Sequence, residues 1–310
     1  MKCLVTGGAG FIGSHIIERL LQQHHDVICL DNFDSYYNPE IKKRNCSSFM
    51  GNDHFTLING DILDRKLLQE ILNDVDIIFH EAAQAGVPLS TENPSKSHNV
   101  NTTGTLNLLE SAVKADVKRF IYASSSSVYG IVKYLPFDED HPTNPVSPYG
   151  VSKLMAEHYC RVFSDLYGLP SVSLRYFTVY GPAMRPDLAI HIFTQQALRD
   201  KPLTIFGTGD RTRDFTYIDD IVDANMIVLT RGDGVYNIGG GHRVSIKELA
   251  GKIIEITGSS SVIHHKDAKL GDAEHTYANI AKAQRDLGWK PKTSLNLGLK
   301  RYIKWVSTCQ

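Results

Sequence analysis

Residues 2–14 read KCLVTGGAGFIGS, and this stretch decides the fold. Lys2–Thr6 is a short apolar run of the kind that forms a buried strand. Three glycines follow as Gly7-x-x-Gly10-x-x-Gly13, with Phe11 and Ile12 between the last two, and Gly13–Gln23 continues with helical spacing. Glycines there permit a tight turn, let a pyrophosphate approach the backbone and bring helix and strand close together. The helix start adds N–H donors and the positive end of its dipole. Asp31 ends the next apolar run, Asp26–Asp31, 18 residues beyond Gly13. A carboxylate at that spacing accepts hydrogen bonds from ribose hydroxyls and repels a 2′-phosphate. Asn32 follows with no Arg beside it, so the motif predicts an NAD site rather than an NADP site.

The same rhythm runs outward. Phe55–Asn59, Asp76–His80, Lys118–Ser124 and Ser171–Arg175 read as strands, with helices predicted over Asp64–Leu72, Asn101–Ala115 and Tyr149–Tyr167. Alternating strands and helices predict an α/β fold, a Rossmann-type doubly wound parallel sheet with helices on both faces. Pro182, Pro186 and Pro202 then break the rhythm, and later elements are shorter and more mixed. Ser245-x-x-Glu248 is a capping box that opens a helix of about ten residues. There is no internal repeat, low-complexity tract or linker.

Composition excludes several function classes. Lys+Arg total 33 against 34 Asp+Glu, a net charge of −1, which argues against a basic surface for nucleic acid or anionic lipid. Hydrophobic residues at 42% and charged residues at 22% match ordinary globular usage. No apolar run approaches the ~18 residues of a membrane span, and the N-terminus lacks a signal-peptide core. Cys3, Cys29, Cys46, Cys160 and Cys309 form no C-x-x-C pair, and their odd number suits reduced thiols, so a cytoplasmic location is expected. Of the 13 histidines, His24-His25 and His264-His265 are adjacent pairs without ligand spacing, so no metal site is expected.

Tyr149-x-x-x-Lys153 would place two side chains on one helical face. With 14 tyrosines, chance alone supplies about one such pair, and a second occurs at Tyr129 and Lys133. Context separates them. Ser147-Pro148 is a good N-cap and first-turn combination, so Tyr149 and Lys153 are predicted one turn apart. Tyr129 precedes Gly130 and a loop containing Pro136, where the spacing implies no shared face.

Gly7-x-x-Gly10-x-x-Gly13, the Ser124–Gly130 run SSSSVYG and Tyr149-x-x-x-Lys153 together resemble the extended short-chain dehydrogenase/reductases. More narrowly, the chain resembles their NAD-dependent nucleotide-sugar 4-epimerases. HEAAQAG at 80–86, RYFTVYGP at 175–182, RDFTYIDD at 213–220 and Leu287-Gly288-Trp289 follow in family order. The resemblance implies an NAD-binding domain over 1–177 and about 214–239. A smaller mixed α/β domain, about 178–213 and 240–310, would then take the UDP-sugar. Tyr149 would be the acid/base, Lys153 would hold the nicotinamide ribose, and Ser125 would bond the sugar O4. Asp61, Ile62, Ala82, Ala83, Asn101 and Tyr176 complete the implied cofactor set. A homodimer built by helices near 99–115 and 149–167 is also implied. Positive charge from Lys153 and the nicotinamide ring is expected to favour the Tyr149 phenolate.

Related dehydratases carry an Asp-Glu pair where this chain has Ser126 and Ser127, and a hydroxyl cannot act as general acid or base near neutrality unaided. Related decarboxylases carry Glu at the position of Ser127 and an Arg near His275, and both are absent. Asp34–Pro39 (DSYYNP), Thr178 and Arg185-Pro186-Asp187 resemble the UDP-glucuronate 4-epimerases, with Thr178, Arg185 and the two serines placed to hold a C6 carboxylate. Arg185 could equally be a solvated surface charge, and Pro88 departs from that subgroup's Arg. Thr276, small where glucose-restricted enzymes carry Tyr, leaves room for UDP-N-acetylglucosamine, and UDP-glucose is the other alternative substrate. By the same resemblance Arg213 grips the diphosphate, Lys269 stands where Arg is usual, Asp272 joins the substrate set and Leu203–Gly209 lies near the uridine ribose. The competing class is an NAD-binding sensor that has lost its chemistry, but such a protein needs no Ser125, Tyr149 and Lys153.

Overall fold

A computed structural model of the chain describes residues 1–267 and 274–308. Strands β1 (Lys2–Thr6), β2 (Asp26–Asp31), β3 (Phe55–Asn59), β4 (Ile77–His80), β5 (Arg119–Ser125) and β6 (Ser171–Tyr176) fall on the six predicted runs, shifted by at most one residue at either end. The later strands are short: β7 (Thr178–Tyr180), β8 (Leu203–Phe206), β9 (Thr212–Arg213), β10 (Phe215–Tyr217), β11 (Gly234–Ile238), β12 (Val244–Ser245) and β13 (Ile263–Lys266).

Seven strands form one sheet in the order β11-β6-β5-β4-β1-β2-β3, parallel throughout. Both faces are covered. Cys3 and Val5 of β1 pack into one apolar cluster and Leu4 into another, which is the period-2 alternation of a strand buried on both sides. Helices α1 (Phe11–Gln22), α2 (Pro39–Ser47), α3 (Arg65–Ile71), α4 (Val87–Glu92), α5 (Pro94–His98), α6 (Thr105–Lys114) and α7 (Pro148–Tyr167) belong to the first half. Helices α8 (Ala189–Ala197), α9 (Ile218–Ile227), α10 (Ile246–Thr257) and α11 (Leu295–Thr308) follow. Helix α1 contributes Ile16, Ile17 and Leu20 to the first cluster, and α9 contributes Ile221 and Val222. Leu108 and Leu109 of α6, with Ala156 and Cys160 of α7, fill the second.

Two elements differ from expectation. The helix predicted over Asn101–Ala115 opens as a π-helical stretch, Asn99–Gly104, before α6. Strand β11, which the apolar rhythm does not reveal, pairs with β6 from Val172↔Gly234 to Tyr176↔Ile238 and adds the seventh strand. Ser245 caps α10 as its box predicts, accepting from Glu248 N at 3.1 Å. Elsewhere the second half is built from strand pairs, β7 with β10, β9 with β12 and β8 with β13.

Strand order reverses between β1 and β4. Connections leave in opposite directions there, and a crevice opens at the carboxyl ends of the strands, where ligands of such folds bind.

Candidate active site

The crevice is a single cleft with two chemically different ends. At the β1 end, Gly7 has φ +66° and Gly10 N donates to Gly7 O at 3.0 Å. A Cβ on Gly7 would come within 2.7 Å of Ala82 N, and one on Gly13 within 2.5 Å of Gly7 O, so the turn is closed to larger residues. The resulting cradle fits a dinucleotide pyrophosphate. Gly7, Gly10, Phe11, Ile12, Gly13, Asp31, Asn32, Asp61, Ile62, Ala82 and Ala83 all line the cleft.

Asp31 is 4% exposed and already partnered: Oδ1 accepts from Phe33 N at 2.8 Å and Lys42 Nζ at 3.0 Å, and Oδ2 from Ala9 N at 3.2 Å. Lys42 also lines the cleft, a cation beside the ribose carboxylate that the sequence reading does not contain. Asn32 Nδ2 donates to Asp61 Oδ2 at 2.8 Å and ties the loops after β2 and β3 together. Asn101 is the exception to the cofactor set. It does not line the cleft; its Oδ1 accepts from Gln84 N and its Nδ2 donates to Gln84 O and Ser152 Oγ, so it shapes the wall from behind.

At the other end stand Tyr149, Lys153 and Tyr176. Ser147 caps α7, accepting from Gly150 N at 3.1 Å, and Pro148 occupies its first turn, so Tyr149 and Lys153 share a face as the spacing predicts. Lys153 is 3% exposed; its ammonium donates to Ala123 O at 2.8 Å and lies 5.0 Å from the Tyr122 ring centroid. Burial lowers it to about 8, while the Glu81 carboxylate pulls the other way. The phenolate expected at Tyr149 depends on the nicotinamide charge as well as on Lys153. Within the protein itself, burial raises the phenol, and the Ser125 hydroxyl and Arg185 guanidinium only partly oppose it.

Further residues lock this end in place. Glu157, one turn beyond Lys153, accepts from Ser124 Oγ at 2.7 Å and from Arg175 Nε at 3.1 Å, fixing α7 against β5 and β6. Tyr129 belongs to the same buried network. Its hydroxyl donates to Asn237 Oδ1 at 2.6 Å and accepts from Arg175 Nη1 at 2.9 Å, and its ring stacks on Phe137. Lys133 is exposed and shares no helix with it.

Among the described residues of the substrate set, Arg185 alone lines this cleft. It is not a free surface charge: Nε and Nη2 donate to the two Asp187 carboxylate oxygens at 2.9 and 3.1 Å, and Tyr36 OH donates to Asp187 Oδ2 at 2.9 Å. Ser125, Ser126 and Ser127 are half-buried at the end of β5, where Ser125 Oγ accepts from Ser127 N. Thr178 lies on β7, opposite Phe215. Arg213 and Thr276 meet on the seam beside β9, Arg213 donating to Thr212 O and Glu274 O. The space expected beside Thr276 is not at its own hydroxyl, since Thr276 is 6% exposed and accepts from Asp214 N. Lys269 and Asp272 lie outside the described residues.

The sequence reading also misses Glu81. It follows β4, lines the cleft, and accepts from Tyr176 OH at 3.0 Å. A carboxyl placed directly after a strand at the reversal point of the sheet was the available signal.

The sequence profile of the NAD dependent epimerase/dehydratase family matches residues 3–239. A putative UDP-glucose 4-epimerase from Methanocaldococcus jannaschii is 39% identical over 308 residues, covering 98% of this chain and 97% of that protein. UDP-glucuronate 4-epimerase 4 from Arabidopsis thaliana is 38% identical over 328 residues, covering 97% of this chain and 74% of its own length. The crystal structure of a UDP-glucuronic acid 4-epimerase from Bacillus cereus, in complex with UDP-glucuronic acid and NAD, superposes with a TM-score of 0.95 at 39% identity over the whole of both chains. With the glycine cradle, Asp31 and the Tyr149–Lys153 face gathered in one cleft, the chain belongs to the NAD dependent epimerase/dehydratase family and takes NAD as its cofactor.

Proposed function

We propose that the protein inverts C4 of a UDP-sugar through a transient 4-keto intermediate, with UDP-glucuronate as its leading substrate. C4 epimerisation is the activity of the relatives named above, and the chain is an isomerase of that class. The observation that supports the uronate is the position of Arg185, whose guanidinium acts on the Tyr149 phenol from the same cleft. Its Nη1 makes no hydrogen bond among the described residues and is available to a C6 carboxylate.

In this reading the glycine turn and the start of α1 hold the pyrophosphate and Asp31 the ribose. Bound NAD supplies the hydride acceptor. Tyr149 takes the proton of the C4 hydroxyl, Ser125 holds O4, and Lys153 stabilises the phenolate and positions the ribose. Return of the hydride to the opposite face of C4, and of the proton from Tyr149 to O4, would invert C4 with no net oxidation. Ser126 and Ser127 lack the acid and base that dehydration requires. The oxidised uronate is a β-keto acid and loses CO₂ when its carboxyl stands perpendicular to the ring ketone, so Thr178, Arg185 and the serines would have to hold it near the plane. The large sheet would carry the cofactor, and the smaller strand pairs, with Arg213, the sugar nucleotide.

A second reading has its own support. Asp187 neutralises Arg185 in a bidentate pair, which suits an uncharged C6 and hence UDP-glucose or UDP-N-acetylglucosamine. Assaying the three UDP-sugars side by side with products resolved by NMR tests the choice. C4 inversion of UDP-glucuronate as the fastest reaction is expected; release of CO₂ as the main outcome overturns the epimerase reading.

A further inference from the structure

We infer that Glu81 is a positioning residue for the proton relay: its carboxyl, held by Tyr176 in the cleft wall, sets the charge against which Tyr149 and Lys153 work. The inference rests on the function proposed above. Three elements converge on this carboxyl. Glu81 extends from β4, Tyr176 ends β6, and Asn225 comes from α9. Asn225 Nδ2 donates to Tyr176 OH at 2.7 Å and to Ile221 O at 2.9 Å. With that lone pair taken, the Tyr176 proton points to Glu81 Oε1 at 3.0 Å. The carboxyl is therefore oriented from outside rather than left to rotate.

The charged and titratable groups facing it are Lys153 and Tyr149 from α7, Tyr122 from β5 and Tyr176 from β6. Among the described acidic residues that line the cleft, Asp31 ends β2, Asp34 stands on the loop after it and Asp61 on the loop after β3. Glu81 alone follows β4, at the end where the relay stands. Burial raises its carboxyl to about 7, against opposition from the Tyr176 hydrogen bond and Lys153. Near neutral pH it therefore changes charge. As an anion it supports the Lys153 ammonium and opposes the Tyr149 phenolate; as a neutral acid it does neither. A carboxyl that only shaped the wall would be replaced by an amide without consequence.

Glu81→Gln keeps the shape and the acceptor for Tyr176 but removes the charge. With [¹³Cζ]tyrosine incorporated, the Tyr149 resonance is identified by its absence in Tyr149→Phe. Its titration is expected to move to lower pH by about one unit in Glu81→Gln. The pH limb of kcat that depends on Tyr149 should move in the same direction, and Glu81→Asp should restore the wild-type position. Should Glu81→Gln fail to fold, Glu81→Met removes the same charge with an apolar side chain of similar length and is expected to shift the Tyr149 resonance the same way. A Tyr149 titration unchanged in the folded variant overturns the inference. That result is distinct from failure of the functional reading, which would show as an active Tyr149→Phe.

Discussion

Lys42 Nζ lies 3.0 Å from Asp31 Oδ1, and the pair is shut away at 9% and 4% exposure. The carboxylate read as the ribose ligand thus brings its own cation, which offsets its charge. Exclusion of a 2′-phosphate therefore rests on the placement of Asp31 rather than on net charge. Asp31→Asn should weaken NAD binding about tenfold or more, through loss of charge-assisted bonds of about 1.5–3 kcal/mol. Lys42, no longer paired, should draw NADP in, so the preference between the two narrows. Calorimetric titration of cofactor-free protein measures both affinities, and tighter NADP binding by the wild type would sink the assignment. Lys42→Met leaves a buried carboxylate unpaired and should cost about 3–5 kcal/mol in urea unfolding.

Tyr149→Phe should abolish turnover while sparing the fold, because one hydroxyl leaves an otherwise unchanged ring. Tyr129→Phe should do the reverse. It strips Arg175 and Asn237 of a shared buried partner, a loss of about 1–3 kcal/mol that a thermal melt would record, with turnover largely kept. An inactive Tyr129 variant beside an active Tyr149 variant would exchange their roles.

Local signals made the sheet legible. Strands β1 to β6 are apolar runs bounded by turn residues, and the caps at Ser147 and Ser245 lie within a few residues of the helices they open. Strand β11 is five residues, GVYNI, with Gly and Asn among them, and only pairing with β6 makes it a strand. The cleft divides in the same way. Glycines, Asp31 and Tyr149-x-x-x-Lys153 carry their meaning in their spacing. The partnership of Lys42 with Asp31 depends on how α2 folds back onto β2, and that of Glu81 with Tyr176 on two strands 95 positions apart. No periodicity encodes such contacts.

The relay residues also predict how cofactor-free stability follows pH. Glu81 is raised from 4.5 to about 7, so the folded state binds the extra proton between those values and stability falls as pH rises through them. Lys153 is lowered from 10.5 to about 8, so the unfolded state binds the extra proton there and stability recovers as pH rises from 8 towards 10.5. Together they place a minimum near pH 7–8. Buried His80 and Asp214 add slopes of opposite sign below about pH 7. Chemical unfolding across pH should therefore show the falling limb flattened in Glu81→Gln relative to the wild type, with the rising limb kept. An unaltered falling limb would mean that other carboxyls generate it.

Helix α7 presents Val151 and Met155, one turn apart and 45% and 38% exposed, beside Val146 at 47%. Apolar side chains grouped on one helical face mark an association surface, and we propose that it closes a homodimer. Light scattering should give twice the 34.6 kDa chain mass for the wild type and a single chain mass for Val151→Asp with Met155→Asp. A wild-type monomer at micromolar concentration would discard the proposal.

Arg185 and Asp187 offer the sharpest test of substrate identity, because the two readings place opposite demands on their pair. If the substrate is a uronate, the guanidinium must meet a second carboxylate, and Asp187 competes with it for the same charge. Asp187→Asn should then raise kcat/KM for UDP-glucuronate while leaving UDP-glucose nearly unchanged. Arg185→Ala should lower the uronate value by roughly ten- to a hundredfold, the equivalent of about 1.5–3 kcal/mol of charge-assisted bonding. If C6 is uncharged, the pair serves the cleft wall, where Tyr36 also holds Asp187. Both substitutions then loosen the wall and depress all three UDP-sugars alike. The ratio of uronate to glucose turnover across the two variants separates the cases, since damage to the wall moves both substrates and loss of a carboxylate ligand moves one.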